Sequence, residues 1–184
     1  MHDNAGFYEA LQGGLPVKPI FIFARNILDK LSDPADARVT FIYDVIQQLK
    51  ESLKGHGSDM EVFYGNPEEI WSTLVKAESL HAVYTNRDYE QYAQDRDEKV
   101  EKLLSEEGKE FCTFKDQVIF EKGEVTKDDG TPYVVFTPYK RKWLAKLDAK
   151  QDWDAPGESY YFKSYPTEDY FNHLHSFTAD YTPT

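Results

Sequence analysis

The feature that most constrains this chain is an alternation of short, nearly continuous apolar runs with longer segments of helical periodicity. Val17–Phe23 reads VKPIFIF, the composition of a strand covered on both faces, as in a parallel sheet. Pro19 falls early in that run, where a missing donor is tolerated. Met60–Tyr64, Leu80–Tyr84 and Glu110–Phe114 are further short strands. Between them, Ala35–Lys54 places Val39, Ile42, Tyr43, Ile46, Leu49 and Leu53 at spacings of three and four, which predicts an amphipathic helix. Pro67–Ala77 opens on a proline pre-set for a first helical turn, and Tyr92–Glu107 is a charged helix ending at Gly108. Ahead of the first strand, Asp3–Leu11 reads as a short helix capped by Asp3 or Asn4 and closed by Gly13-Gly14. This order predicts an α/β fold: a parallel sheet flanked by helices, with right-handed crossovers.

After Phe114 the alternation stops. Gln117–Phe120, a turn at Asp128-Asp129-Gly130 and Tyr133–Phe136 predict a loose hairpin, and Arg141–Leu147 a helix. From Trp153 onward aromatics, prolines and acids mix without a period, apart from a helix around Thr167–Phe177. The domain reading is therefore 1–147 for the α/β domain and 148–184 for a connector lying against another domain. No run approaches the ~18 apolar residues of a membrane span, and the start lacks a signal-peptide pattern, so a cytoplasmic location is expected. The net charge of −12 makes the surface repel phosphate, so tight DNA binding by this chain alone is not expected. Cys112 is the only cysteine, which excludes an intrachain disulfide and fits a small buried hydrophobe.

No nucleophile elbow, phosphate-binding lysine loop or Gly-x-Gly-x-x-Gly follows a strand. His173 and His175 are two apart, on different faces of a helix, and make a poor metal pair. The stretch Tyr84–Asp97, YTNRDYEQYAQDRD, starts where a parallel strand ends and runs into the next helix, the edge where open α/β sheets bind ligands. Asn86, Arg87, Tyr89 and Tyr92 offer hydrogen bonds and aromatic faces to a flat heterocycle. The alternative is a capped loop with Arg96 and Asp97 in a surface ion pair. In Phe136–Trp143, FTPYKRKW, basic and aromatic residues could meet phosphate; the alternative is a helix start at Pro138 with a solvated basic face.

DNAGFYEAL, KPIFIF, DARVTFI, YTNRDYEQYAQDRD, TFKDQVIFEKGEV and PYVVFTPYKRKW occur here in one order. That order resembles DNA photolyases and cryptochromes, above all bacterial class I enzymes that repair cyclobutane pyrimidine dimers. The resemblance implies a Rossmann-like domain carrying a light-harvesting antenna (a deazaflavin, a folate or a flavin), followed by a helical domain that holds FAD and acts on UV-damaged DNA. It also implies that this chain lacks the family's first strand, which lies between the strands formed here by Val17–Phe23 and Leu80–Tyr84. The flavin domain would be absent too, leaving the isolated chain inactive. Without that strand, a marginal fold, a collapsed sheet in which those two strands meet, or strand exchange between copies is expected. By the resemblance, antenna-edge positions are Asn86, Asp88, Glu90, Tyr92, Arg96 and Asp97. Ala24, Asn26 and Arg38 are expected to line the same cleft. The rival readings are a cryptochrome photoreceptor fragment, a stand-alone nucleotide-binding α/β protein, and an interaction module using the aromatic tail.

Overall fold

Two strand pairs, each made of parallel neighbours, carry the fold. The computed structural model describes residues 4–33, 35–77 and 79–150. Its elements run α1 Ala5–Gln12, β1 Ile20–Ala24, α2 Arg25–Leu28, α3 Ala37–Gly55, β2 Glu61–Gly65, α4 Pro67–Leu74, β3 Ala82–Asn86, α5 Gln91–Glu106, β4 Glu110–Phe114 and α6 Phe136–Lys150. From Gln151 onward the connector read at 148–184, with its helix around Thr167–Phe177, lies outside the described residues. The described chain parts after Phe114 into two compact units.

Side-chain caps start three helices of the first unit, α1, α3 and α4. The Asn4 Oδ1 accepts from Phe7 N–H at 2.9 Å, and the Asn66 Oδ1 accepts from Glu68 N–H at 2.9 Å ahead of Pro67. Each bond satisfies an amide that a helix start leaves without an intrahelical partner. Asp36 caps α3 and also holds the Arg38 guanidinium. The Arg38 hydrogen bonds depress its carboxyl to about 2.

β1 pairs with β2 from Ile20 opposite Glu61 to Ala24 opposite Gly65. β3 pairs with β4 from Ala82 opposite Glu110 to Asn86 opposite Phe114. Among the described residues β1 and β3 do not pair, so the sheet is split. Of the three outcomes expected for a chain without that strand, the collapsed sheet is not the one that forms. The reason lies in α1, which packs against both halves. Leu11 and Phe7 join Ile46, Leu53, Phe21 and Phe23 in one core, while the Gly6 N–H donates to the Asn86 side-chain oxygen at 2.7 Å. A second core, Val75, Val100 and Leu104 with Trp71, Val83 and Phe111, joins α4 and α5 to β3 and β4. Each strand pair thus has helices packed against it, while Val62 and Tyr64 of β2 stay exposed.

Lys115–Lys150 has a core of its own. Phe120, Val125 and Leu147 form its small core, with Trp143 edge-on to Phe120 at 5.3 Å and Lys146 over the same ring. The loose hairpin read at Gln117–Phe120 and Tyr133–Phe136 is corrected: neither segment is a strand. Phe136 instead opens α6, which starts well before the expected Arg141. Pro138 sits in the first turn, where its missing donor costs no helical bond, so the run reads into the helix rather than into a ladder.

Gly6 has the tightest backbone approach. A Cβ there would lie 2.9 Å from the Asn86 oxygen and 3.1 Å from the Thr85 carbonyl carbon, whereas one at Gly55 meets nothing within 4 Å. Gly6→Ala is expected to lower the unfolding free energy by about 1–3 kcal/mol through overpacking. Gly55→Ala, at the end of a helix, is expected to raise it by up to ~1 kcal/mol. Urea denaturation of the two variants checks the opposite signs.

Candidate functional site

The first unit concentrates polar side chains at the carboxyl ends of β1 and β2. The chain leaves β1 at Ala24, which stands in extended backbone as the N-cap residue of α2. The short helix then presents Asn26, and the turn after it Lys30. β2 ends at Gly65, and the capped start of α4 supplies Asn66, Pro67 and Glu68. The opposite wall comes from α5, whose Tyr92, Asp95, Arg96 and Lys99 fall at helical spacing on one stripe. Together these residues line a cleft of about 240 Å³.

Hydrogen bonds and ion pairs set its walls. The Tyr92 hydroxyl donates to the Asn26 Oδ1 at 3.0 Å. Lys99 meets Glu68 at 2.6 Å, joining α5 to α4. Asp95 accepts from the Gln91 side chain at 2.7 Å, one turn earlier. Arg96 bonds the adjacent Asp97 through Nε at 2.8 Å and Nη2 at 2.7 Å. Lys30 has no ion-pair partner among the described residues, so the cleft presents one uncompensated ammonium.

Of the residues read from the sequence, the structure brings Asn26, Tyr92 and Arg96 into the cleft wall. Asp97 holds Arg96 from outside, and Ala24 contributes backbone at the turn. Asn86 instead ties α1 to β3. Asp88 closes a local turn, its Oδ1 accepting from Glu90 N–H at 3.1 Å, and Glu90 stands before α5 with no side-chain cap bond. Arg38 is exposed and clamped to Asp36, outside the lining set. The sequence reading missed Lys30, Asn66, Glu68, Asp95 and Lys99. The stripe of Tyr92, Asp95, Arg96 and Lys99 was a periodic signal that could have found the α5 members. Asn66-Pro67 directly after a strand marked the α4 members.

The arrangement can grip a polar ring edge; it does not resemble a covalent catalyst. The Cys112 thiol is pushed up by burial, and then by Glu110, which keeps it protonated. Among the described residues no cluster of His, Cys, Asp and Glu could hold a metal ion, and no helix is long and apolar enough to cross a membrane.

The family described as DNA photolyase matches residues 1–157. The deoxyribodipyrimidine photo-lyase of Alkalihalophilus pseudofirmus is 37% identical over 117 residues, 60% of this chain and 24% of the relative. That of Halobacterium salinarum is 33% identical over 128 residues, 70% of this chain and 26% of the relative. The match thus spans about a quarter of these curated relatives. The crystal structure of the archaeal photolyase from Sulfolobus tokodaii aligns with TM-score 0.60 and 28% identity, over 77% of this chain and 31% of that one. That structure is described as holding two FAD molecules and implicating a novel light-harvesting cofactor.

Tyr92→Phe removes the phenol hydrogen bond and leaves Asn26 without its donor. The expected cost is about 0.5–1.5 kcal/mol of stability, read as a shift in the urea midpoint, with Tyr43→Phe at an exposed position as the control.

Proposed function

The chain belongs to the DNA photolyase family, and from that premise we propose that it carries the antenna-binding part of a light-driven enzyme reversing cyclobutane pyrimidine dimers. The observation that carries this reading is the convergence of Asn26, Tyr92 and Arg96 at the carboxyl ends of parallel strands. Open α/β sheets bind ligands at that edge.

The residues fit one side of a flat heterocycle. Asn26 and the Tyr92 hydroxyl offer hydrogen-bonding groups in one place, and Arg96 and Lys30 add positive charge beside them. The cleft of about 240 Å³ falls short of the ~300–1,000 Å³ of a complete ligand pocket. It makes one wall of a site whose remaining wall comes from elsewhere in the enzyme. A bound antenna chromophore absorbs near-UV or blue light and passes the excitation on to a flavin. This chain's own part is to hold the ring edge, orient it through Asn26 and Tyr92, and keep water from the polar contacts. Tyr92-Ala93 stands where folate-binding members resemble an Asn-Glu pair, which favours a deazaflavin or a flavin. DNA contacts belong to other parts of the enzyme, since a net charge of −12 disfavours phosphate.

The absorption spectrum of the purified chain tests this reading, before and after incubation with deazaflavin, flavin and folate. A near-UV or blue band that stays with the protein through gel filtration is expected for deazaflavin or flavin. Asn26→Ala should weaken retention about tenfold, the equivalent of losing one good hydrogen bond. A bare protein spectrum under all three conditions would remove the antenna assignment.

A further inference from the structure

The outer edge of β2 joins an open backbone ladder to exposed apolar side chains. In an extended strand, the N–H and C=O of one residue point to the same side, and successive residues alternate. Glu61 N–H donates to the Pro19 carbonyl at 3.0 Å, so Glu61, Phe63 and Gly65 address β1. Val62 and Tyr64 therefore address the outer side, where no strand pairs with β2 among the described residues. Their side chains share the face of their register partners Phe21 and Phe23, which pack in the core with α1 and α3. That core stops short of them: Val62 is 38% and Tyr64 66% exposed. On the other outer strand, β4, Phe111 to Phe114 are half-buried. Open strand edges are commonly blunted by a lysine, a proline or a bulge. β2 reads EVFYG in an unbroken register and has none of these. Its one charge, Glu61, is held by Lys18 at 2.7 Å.

We propose that this edge is a self-association surface, on which β2 of a second copy of the chain pairs antiparallel about a two-fold axis. The alternation of outward residues makes the edge self-complementary. With the axis passing between the two Phe63 residues, Val62 of one copy stands opposite Tyr64 of the other, and Tyr64 opposite Val62. Those are the residues whose backbone groups face outward, so each such pair exchanges both of its hydrogen bonds. An axis perpendicular to the sheet leaves both α3 helices on one face. Val62 and Tyr64 of the two copies then form one apolar floor, and each side chain is withdrawn from water. A strand of five residues makes a small contact, and a net charge of −12 on each copy opposes it. The dimer is therefore weak, reversible and strengthened by salt, which screens the repulsion. The proposal stands independently of the antenna reading, because none of the cleft residues takes part.

Sedimentation velocity and amide hydrogen exchange of the full chain, over a roughly hundredfold range of concentration, test it. As concentration rises, a shift from monomer to dimer is expected, and exchange at Val62 and Tyr64 should slow about tenfold. Phe63 and Gly65, already bonded to β1, should change much less. Val62→Pro removes an outward donor and leaves the ladder to β1 intact, since an edge strand tolerates a proline whose missing N–H faces solvent. It should abolish the concentration dependence while Phe63 keeps its protection. Tyr64→Lys, at a side chain already exposed, should do the same by placing a charge on the apolar floor without altering the backbone. Exchange at Val62 and Tyr64 that does not respond to concentration would overturn the proposal. Fast exchange would mean an open edge, and slow exchange an edge covered by a segment of the same chain. Dimerisation that survives both substitutions would overturn it too, as would association that weakens as salt rises.

Discussion

The hydrogen bond from Gly6 N–H to the Asn86 side chain, 2.7 Å long, is the contact on which the arrangement of the first unit turns. It fastens the start of α1 to the end of β3, while Phe7 and Leu11 on the same helix pack against β1. One short helix thus holds two strand pairs that share no ladder. A neutral hydrogen bond contributes only ~0.5–1.5 kcal/mol, but here it comes with a close backbone approach that leaves little room for a side chain at Gly6. Those demands explain why the pairs stay apart instead of closing on each other. Moving β1 onto β3 would expel α1 from a core where Leu11 is fully buried.

The cleft inherits its geometry from that frame. With β3 held in place, α5 leaves its end so that Tyr92 reaches Asn26 on α2 and Lys99 reaches Glu68 on α4. The ion pair is half exposed and contributes little, on the order of 0–1 kcal/mol, so the Tyr92 bond and the packing of α4 against α5 fix the wall. The Arg96–Asp97 pair is local to one helix and sets where positive charge sits.

Much of this was legible in the sequence, because the strands are continuous apolar runs and the helices carry caps and periodic faces. Apart from the short α2, which spacing did not predict, the order of elements through Phe114 and the helix face built on Ile46 and Leu53 followed from spacing. Strand limits drifted: the first pairs from Ile20 rather than Val17, since the segment around Pro19 precedes the regular ladder. The hairpin reading failed because Val134, Val135 and Phe136 have strand-like composition with no partner strand to cover them. They stand exposed beside the start of α6. In the site, family resemblance pointed to Asn26, Tyr92 and Arg96, but it also drew in Asn86 and Arg38. The structure gives both local duties: Asn86 holds α1, and Arg38 braces the cap of α3. Lys30, Asn66 and Glu68 come from separate elements and meet only through the fold, so no local pattern could have grouped them.

The split sheet is tested most directly by backbone nuclear Overhauser contacts in the native chain. Adjacent strands lie ~4.8 Å apart, near enough for strong contacts between backbone protons. Such contacts are expected between Phe21 and Val62 and between Val83 and Phe111, and none between Ile22 and Tyr84. Cross-strand contacts between Ile22 and Tyr84 would show that β1 and β3 have closed into one sheet. That result would contradict the bridging role of α1.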